Sequence, residues 1–291
     1  MKDKLLYLIF IVIKKIANLL PPKICYDIFK GIGSLANHLV GKKKKRAVNN
    51  LTRSLAISEE EAEEIATGVF QDAGLKLSEI LCLEAWRKED FENRITVEGF
   101  HHFEKAYQQE DGVILFTGHL GNWEILGMYF AALGYPLNAL AKNQKNNIFN
   151  RELLKIRTSR GANVFDIGTK GVARAYKSLL KGELLLILGD QDAREAGVFV
   201  DFFGQPASTP KGPVVLAKKA GSAILPVYLV REGLNQYRMV IEEPIYVSQD
   251  ANEQELKDKL QQVTTSLEGM IREYPKQWGW FYKRWRTKQN S

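Results

Sequence analysis

The chain has little sulfur chemistry and few ring bases. Its 291 residues include two cysteines and four histidines. Cys25 and Cys82 make no C-x-x-C and stand at no metal-ligand spacing from the histidines, which argues against a zinc site or a disulfide framework. Both fit small core residues of a reducing compartment. No G-x-S-x-G string is present, so a serine lipase elbow is excluded. No internal repeat appears, and 45% hydrophobic with 26% charged residues is an ordinary globular composition rather than a disordered one. An uninterrupted apolar run of about 20 residues, the length of a bilayer span, is also missing. The run 5–13 is interrupted by Lys14-Lys15 and ended by Pro21-Pro22, without the small-residue cleavage site of a secretory signal.

What is there is unevenly charged. Residues 1–46 carry +9 and residues 276–291 carry +5, so the total of +7 leaves −7 for residues 47–275. An acidic body with basic ends fits an anionic surface better than a nucleic acid. The expectation is an N-terminal membrane-directed segment, residues 1–46, ahead of a larger domain, residues 47–291. Its first helix is read as interfacial, with a tilted, snorkelling span as the alternative. A second apolar helix, 24–40, and the basic run 42–46 follow.

Ser58-Glu59-Glu60-Glu61 is a capping box that opens a helix running to about residue 86, with a break expected at 72–74. Beyond it, short apolar runs alternate with amphipathic stretches. Strands are expected near 112–117, 137–141, 162–166, 183–188, 223–230 and 237–242. Helices are expected at 122–133, 146–160, 170–181, 210–220 and 252–273, with Thr209 as the cap of the fourth. This alternation predicts an α/β layered domain with a central, mostly parallel sheet. Ligands of such sheets bind beyond the carboxyl ends of strands, where His119 and Asp190-Gln191 both fall.

His119 is followed five residues later by Glu124, and Gly118 and Gly121 permit a tight turn between them. A strand-end histidine would meet a carboxylate in the first turn of the next helix. Glu124 would then hold one ring nitrogen and leave the other free as a base. Backbone N–H groups of Gly121 and Asn122 are candidate oxyanion donors. Lys142, Asn143, Asn146 and Arg157 read either as phosphate ligands or as solvated helix charges. Asp190-Gln191-Asp192 reads as a polar pocket floor rather than a metal site, having no third ligand. Phe199, Phe202 and Phe203, with Thr209 nearby, suit an acyl groove or plain core packing equally. Trp278, Phe281, Tyr282 and Trp285 fall on one face of a helix, suited to a headgroup interface or to docking on the body.

In order along the chain, TGHLGNWE, the KNQKN stretch, LGDQD, GVFVDFFGQPAST, LAKKAGSAILPV and PKQWGWFYKRW resemble the late acyltransferases of lipid A biosynthesis, within the H-x4-D/E glycerolipid acyltransferases. Lys142 stands where members often carry Arg, and Asp201 where Pro is common. The resemblance implies a glycerolipid-acyltransferase-like fold and transfer of a fatty acyl group from acyl carrier protein to a hydroxyl of a Kdo-bearing glycolipid. It implies an enzyme of the cytoplasmic face of the inner membrane, held to an anionic leaflet, with no metal, no other cofactor and no nucleic acid. His119 would be the general base, Glu124 its orienting partner, and Arg157 and Lys142 ligands of anionic groups. Three alternatives stay open: acylation of another glycolipid such as a phosphatidylinositol mannoside, a thioesterase or lipase on the same scaffold, and a non-enzymatic adaptor.

Overall fold

The computed structural model describes residues 2–142 and 146–289. Four helices come first: α1 (Lys2–Leu19), α2 (Pro22–Leu39), α3 (Gly41–Leu55) and α4 (Glu59–Leu83). The alternating part follows as α5 (Lys88–Arg94), β1 (Ile95–Glu98), α6 (Phe100–Tyr107), β2 (Val113–Thr117), α7 (Trp123–Ala132), β3 (Leu137–Leu140), α8 (Asn147–Thr158), β4 (Asn163–Phe165), α9 (Thr169–Leu179) and β5 (Leu184–Leu188). A hairpin, β6 (Val198–Asp201) with β7 (Pro206–Thr209), leads to α10 (Gly212–Ala220), β8 (Ala223–Gly233), β9 (Gln236–Ile241) and α11 (Glu253–Glu273).

Seven strands form one sheet in the order β1-β9-β8-β2-β5-β3-β4. Every neighbouring pair is parallel except β8 and β9, so the expected mostly parallel sheet is present. The central strands are continuous apolar runs because both faces are covered. Along β2, Ile114 and Phe116 enter the core shared with α9, α10 and α11, while Val113 and Leu115 enter the one shared with α5, α6 and α7. This is the two-residue period of a strand sorting its side chains into two layers.

The capping box at Ser58 forms as expected, with Glu61 closing back on the Ser58 N–H. The break expected at 72–74 does not occur, and α4 runs through it unbroken. Gly74 is there for close packing instead. A Cβ on it would lie 2.1 Å from the Phe29 carbonyl of α2, and one on Gly33 would lie 2.3 Å from the Phe70 carbonyl of α4. Paired glycines thus bring the two helix backbones together. The helix expected at 210–220 is α10, and it starts at Gly212 rather than Pro210. Thr209 ends β7 and is not a cap, and Pro213 occupies the first turn.

Residues 278–286 form turns, not the expected helix. Trp278 and Trp280 are fully buried, and the charged Arg284 is buried with them. Trp278 donates to Asp190, Trp280 to the Pro275 carbonyl, and Arg284 to the Ser208 carbonyl and the Thr209 hydroxyl, so the docking alternative describes this segment.

No helix of the described residues is long and apolar enough to cross a membrane. α2 nevertheless has two apolar stripes. Cys25, Phe29 and Gly33 face α4, and Ile24, Ile28, Ile32, Leu35 and Leu39 are exposed. α1 adds exposed Val12, Ile13, Ile16 and Leu19. The basic run 42–46 begins α3, which crosses position 46 as one helix.

Candidate active site

β2 and β5 are parallel neighbours in which Thr117 stands opposite Leu188. Two residues past that pair, His119 and Asp190 emerge side by side at the carboxyl end of the sheet. Gly118 and Gly189 keep the strand ends close. A Cβ on Gly189 would strike the Phe116 ring at 2.2 Å, and one on Gly118 would press on Leu267 at 2.9 Å.

His119 Nδ1 lies 2.7 Å from Asp190 Oδ1. The His119 backbone N–H donates to Asp190 Oδ2 at 2.9 Å, and so does the Trp278 indole N–H, also at 2.9 Å. Gln191 Nε2 is 3.3 Å from the same ring nitrogen. Burial alone would push the Asp190 carboxyl up. The imidazole beside it, the two His119 N–H groups and the indole outweigh burial and hold it down at about 2. The Asp190 side chain is fully enclosed, while His119 keeps 24% of its side chain exposed. Nε2 has no protein partner among the described residues and is the nitrogen left for chemistry. Trp123 and Tyr282 flank the ring edge-on, with centroids 4.7 and 5.3 Å away.

Glu124 does not hold the ring, contrary to the expectation from its spacing. It lies in the first turn of α7, and its two oxygens take a bidentate grip from Arg157 of α8, at 2.8 Å from Nε and 2.5 Å from Nη2. The Trp123 indole N–H adds a third bond at 3.0 Å. Burial works to lower the Arg157 guanidinium, and Glu124 more than reverses it. Arg157 is therefore matched by a carboxylate of its own chain. The ring goes to Asp190 because the neighbouring strand delivers a carboxylate at the same height.

The proposed oxyanion donors are also engaged. The Gly121 N–H donates to the Gln277 carbonyl and the Asn122 N–H to the Leu229 carbonyl, each at 3.1 Å. Gly121 is needed here: its φ is +53°, and a Cβ would meet the Leu229 carbonyl at 1.7 Å. Asn122 caps α7 through its side-chain oxygen.

Of the remaining candidates, Lys142 is exposed and Asn143 lies outside the described residues. Asn146 caps α8, accepting from the Ile148 and Phe149 N–H groups at 3.0 Å each. Phe202 and Phe203 are core residues against Trp285 and Trp280, and half-buried Phe199 lies on β6, away from the cavity beside His119. Thr209 is buried and bonded to Arg284. Packing, not a groove, accounts for these four. Asp192 accepts from Thr287 at 3.0 Å rather than joining Asp190 around a common ligand.

A cavity of about 230 Å³ opens beside His119. One wall is a stripe of α4, Val69, Ala73, Leu77 and Ile80. The other is aromatic, made by Trp123, Phe149, Phe281 and Tyr282. The sequence reading missed this wall: a stripe at i, i+4, i+8 and i+11 is the pattern of any core-facing helix. It also missed what holds α4 there. Arg231 of β8 is buried and grips Glu79 at 2.5 and 2.8 Å and Asp72 as well. Glu79 further accepts from Tyr237 and from Asn122, the α7 cap, at 2.8 and 2.7 Å. Losing one partner of such a buried pair costs about 3–5 kcal/mol.

Residues 2–287 match the family described as bacterial lipid A biosynthesis acyltransferase. The chain belongs to that family. It is 26% identical to the lipid A biosynthesis palmitoleoyltransferase of Escherichia coli, over 92% of this chain and 86% of that one. It is 24% identical to the E. coli lipid A biosynthesis myristoyltransferase, over 93% and 84%. A phosphatidylinositol mannoside acyltransferase of Mycobacterium tuberculosis is 28% identical over 46% of this chain, a match that spans 44% of that relative's length. Among solved structures, the 1-acyl-sn-glycerophosphate acyltransferase PlsC of Thermotoga maritima aligns over 84% of this chain and 97% of that one, with a TM-score of 0.40 and 15% identity.

Proposed function

We propose that this member of the lipid A acyltransferase family moves a fatty acyl group from acyl carrier protein to a hydroxyl of a Kdo-bearing lipid A precursor at a membrane surface. The observation that carries the reading is a histidine held from behind by a buried carboxylate, with its second nitrogen at an apolar cavity. With the Nδ1 proton donated to Asp190, Nε2 is unprotonated and faces the reacting groups. Nε2 takes the proton of the acceptor hydroxyl as that oxygen attacks the thioester carbonyl. The carbon–sulfur bond breaks, the ester forms, and the thiolate leaves with a proton from the imidazolium. Asp190 stabilises that imidazolium, and Glu124 acts on it only through the Trp123 and Arg157 scaffold. The α4 and aromatic walls take the acyl chain.

The exposed apolar stripes of α1 and α2 lie in the interface of an anionic leaflet, followed by the basic start of α3. Full-length alignment to lipid A enzymes favours a lipid A precursor over a phosphatidylinositol mannoside, whose enzymes match over a shorter span.

The test is acyl transfer in detergent, with acyl carrier protein thioesters of graded chain length and a tetra-acylated Kdo-lipid A precursor, read by mass spectrometry. The expected result is a mass gain on the acceptor that disappears in His119→Ala. Release of free fatty acid without acceptor acylation would replace transfer by hydrolysis. Acylation of a mannosylated phosphatidylinositol alone would move the acceptor.

A further inference from the structure

Three of the six cations of α3, Lys42, Arg46 and Arg53, fall on one stripe. Lys42, Arg46, Asn50 and Arg53 recur at helical spacing, and the stripe faces the C-terminal segment with Lys283 and Arg286. Between them lies a cleft of about 360 Å³, which shares Arg46, Asn50 and Arg53 with a broader depression of about 740 Å³. Asn50 donates to the carbonyls of Trp280 and Tyr282, and Arg46 to that of Phe281, so the backbone of 280–282 is fixed against the helix. Arg53, Lys283 and Arg286 are exposed and make no ion pair among the described residues. Lys44 is matched by Glu63, and Glu59 lies on the rim of the broader depression. Crowded like charges without matching carboxylates repel one another and draw an anion from outside.

The position of the cleft gives it a purpose. Tyr282 lines both this cleft and the apolar cavity, and its ring packs on His119. An anion seated here is one side chain away from the base.

We propose that this cleft binds a phosphate on the sugar headgroup of the acceptor lipid and so delivers the acceptor hydroxyl to His119. The inference rests on the acyl-transfer reading above. Arg and Lys donors around a concave cleft suit a small tetrahedral oxyanion, and the wall shared with the His119 cavity favours the acceptor over the body of an acidic carrier protein.

The experiment uses the full chain in detergent and one glycolipid acceptor prepared with and without its phosphomonoester. Arg53→Gln with Arg286→Gln is expected to raise the KM for the phosphorylated acceptor roughly tenfold or more, as expected for lost charge-assisted bonds. The kcat and the KM of the acyl donor should stay within about twofold, and the dephosphorylated acceptor should be affected little. Arg53→Lys with Arg286→Lys should recover part of the loss. Inorganic phosphate should compete with the acceptor, whereas phosphatidylcholine vesicles, which carry phosphodiesters and no phosphomonoester, should not. An unchanged KM, an equal shift on both acceptors, or a rise confined to the donor KM would overturn the proposal, the last assigning the cleft to the carrier protein. Equilibrium binding of the two lipids to His119→Ala protein separates this from the acyl-transfer reading. A preference for the phosphorylated lipid, lost in the double Gln variant, supports the cleft even if the wild type transfers nothing; no preference sinks it even if the wild type is active.

Discussion

Two carboxylates lie near His119, and they are used in opposite ways. Asp190 is enclosed and spends both oxygens on His119 and Trp278. Glu124 is also buried, but a guanidinium takes both its oxygens. The first carboxylate has its charge facing the ring. The second is neutralised on the spot and braces α7 against α8. Sequence proximity pointed to Glu124, and sheet register delivers Asp190. For a histidine at a strand end, the residue at the end of the adjacent strand is as near as one a few positions along the chain.

The comparison can be broken in order of effect. His119→Ala should lower kcat by about 10³-fold or more in the acyl-transfer assay, as expected for loss of a general base. Asp190→Asn should lower kcat by about 10²–10³-fold with the acceptor KM nearly unchanged, because the imidazolium formed in the transition state loses its counter-charge. Glu124→Gln should act first on stability. It leaves the half-buried Arg157 without its charge partner, at a cost of about 2–3 kcal/mol in chemical denaturation. Glu124→Leu with Arg157→Met should recover most of that stability, an outcome foreign to a catalytic Glu124.

The smallest effect is in pH dependence. The Asp190 carboxyl stands at about 2 in the fold, against about 3.9 in an unfolded chain. Between those values the unfolded chain binds more protons, so stability rises with pH there. The contribution, on the order of 2 kcal/mol, is fully present above about pH 4 and is lost as pH falls through about 2. Asp190→Asn should flatten that part of the stability curve, and Glu124→Gln should leave it in place.

Much of the fold was readable along the chain. Apolar runs of five or so residues alternating with amphipathic stretches located most of the sheet, and the ends of β2 and β5 already marked His119 and Asp190. Their adjacency was not readable, since it depends on strand order, which no local period encodes. The C-terminal aromatics show the same limit. Their helical spacing is real, but Trp278 is held by Asp190 from the far end of β5 and Trp280 by the Pro275 carbonyl, and these bonds override the periodicity. The oxyanion expectation failed because Gly121 and Asn122 lie beside carbonyls of segments far along the chain. Likewise, Asp72 and Glu79 look like surface charges of a helix until Arg231 is placed opposite them.

The most direct measurement is the imidazole NMR spectrum of protein labelled with ¹⁵N at its four histidines. A downfield Nδ1 proton assigned to His119 should be seen in the wild type, persist in Glu124→Gln and vanish in Asp190→Asn. Loss of that proton in Glu124→Gln with its survival in Asp190→Asn would return the orienting role to Glu124 and contradict the account.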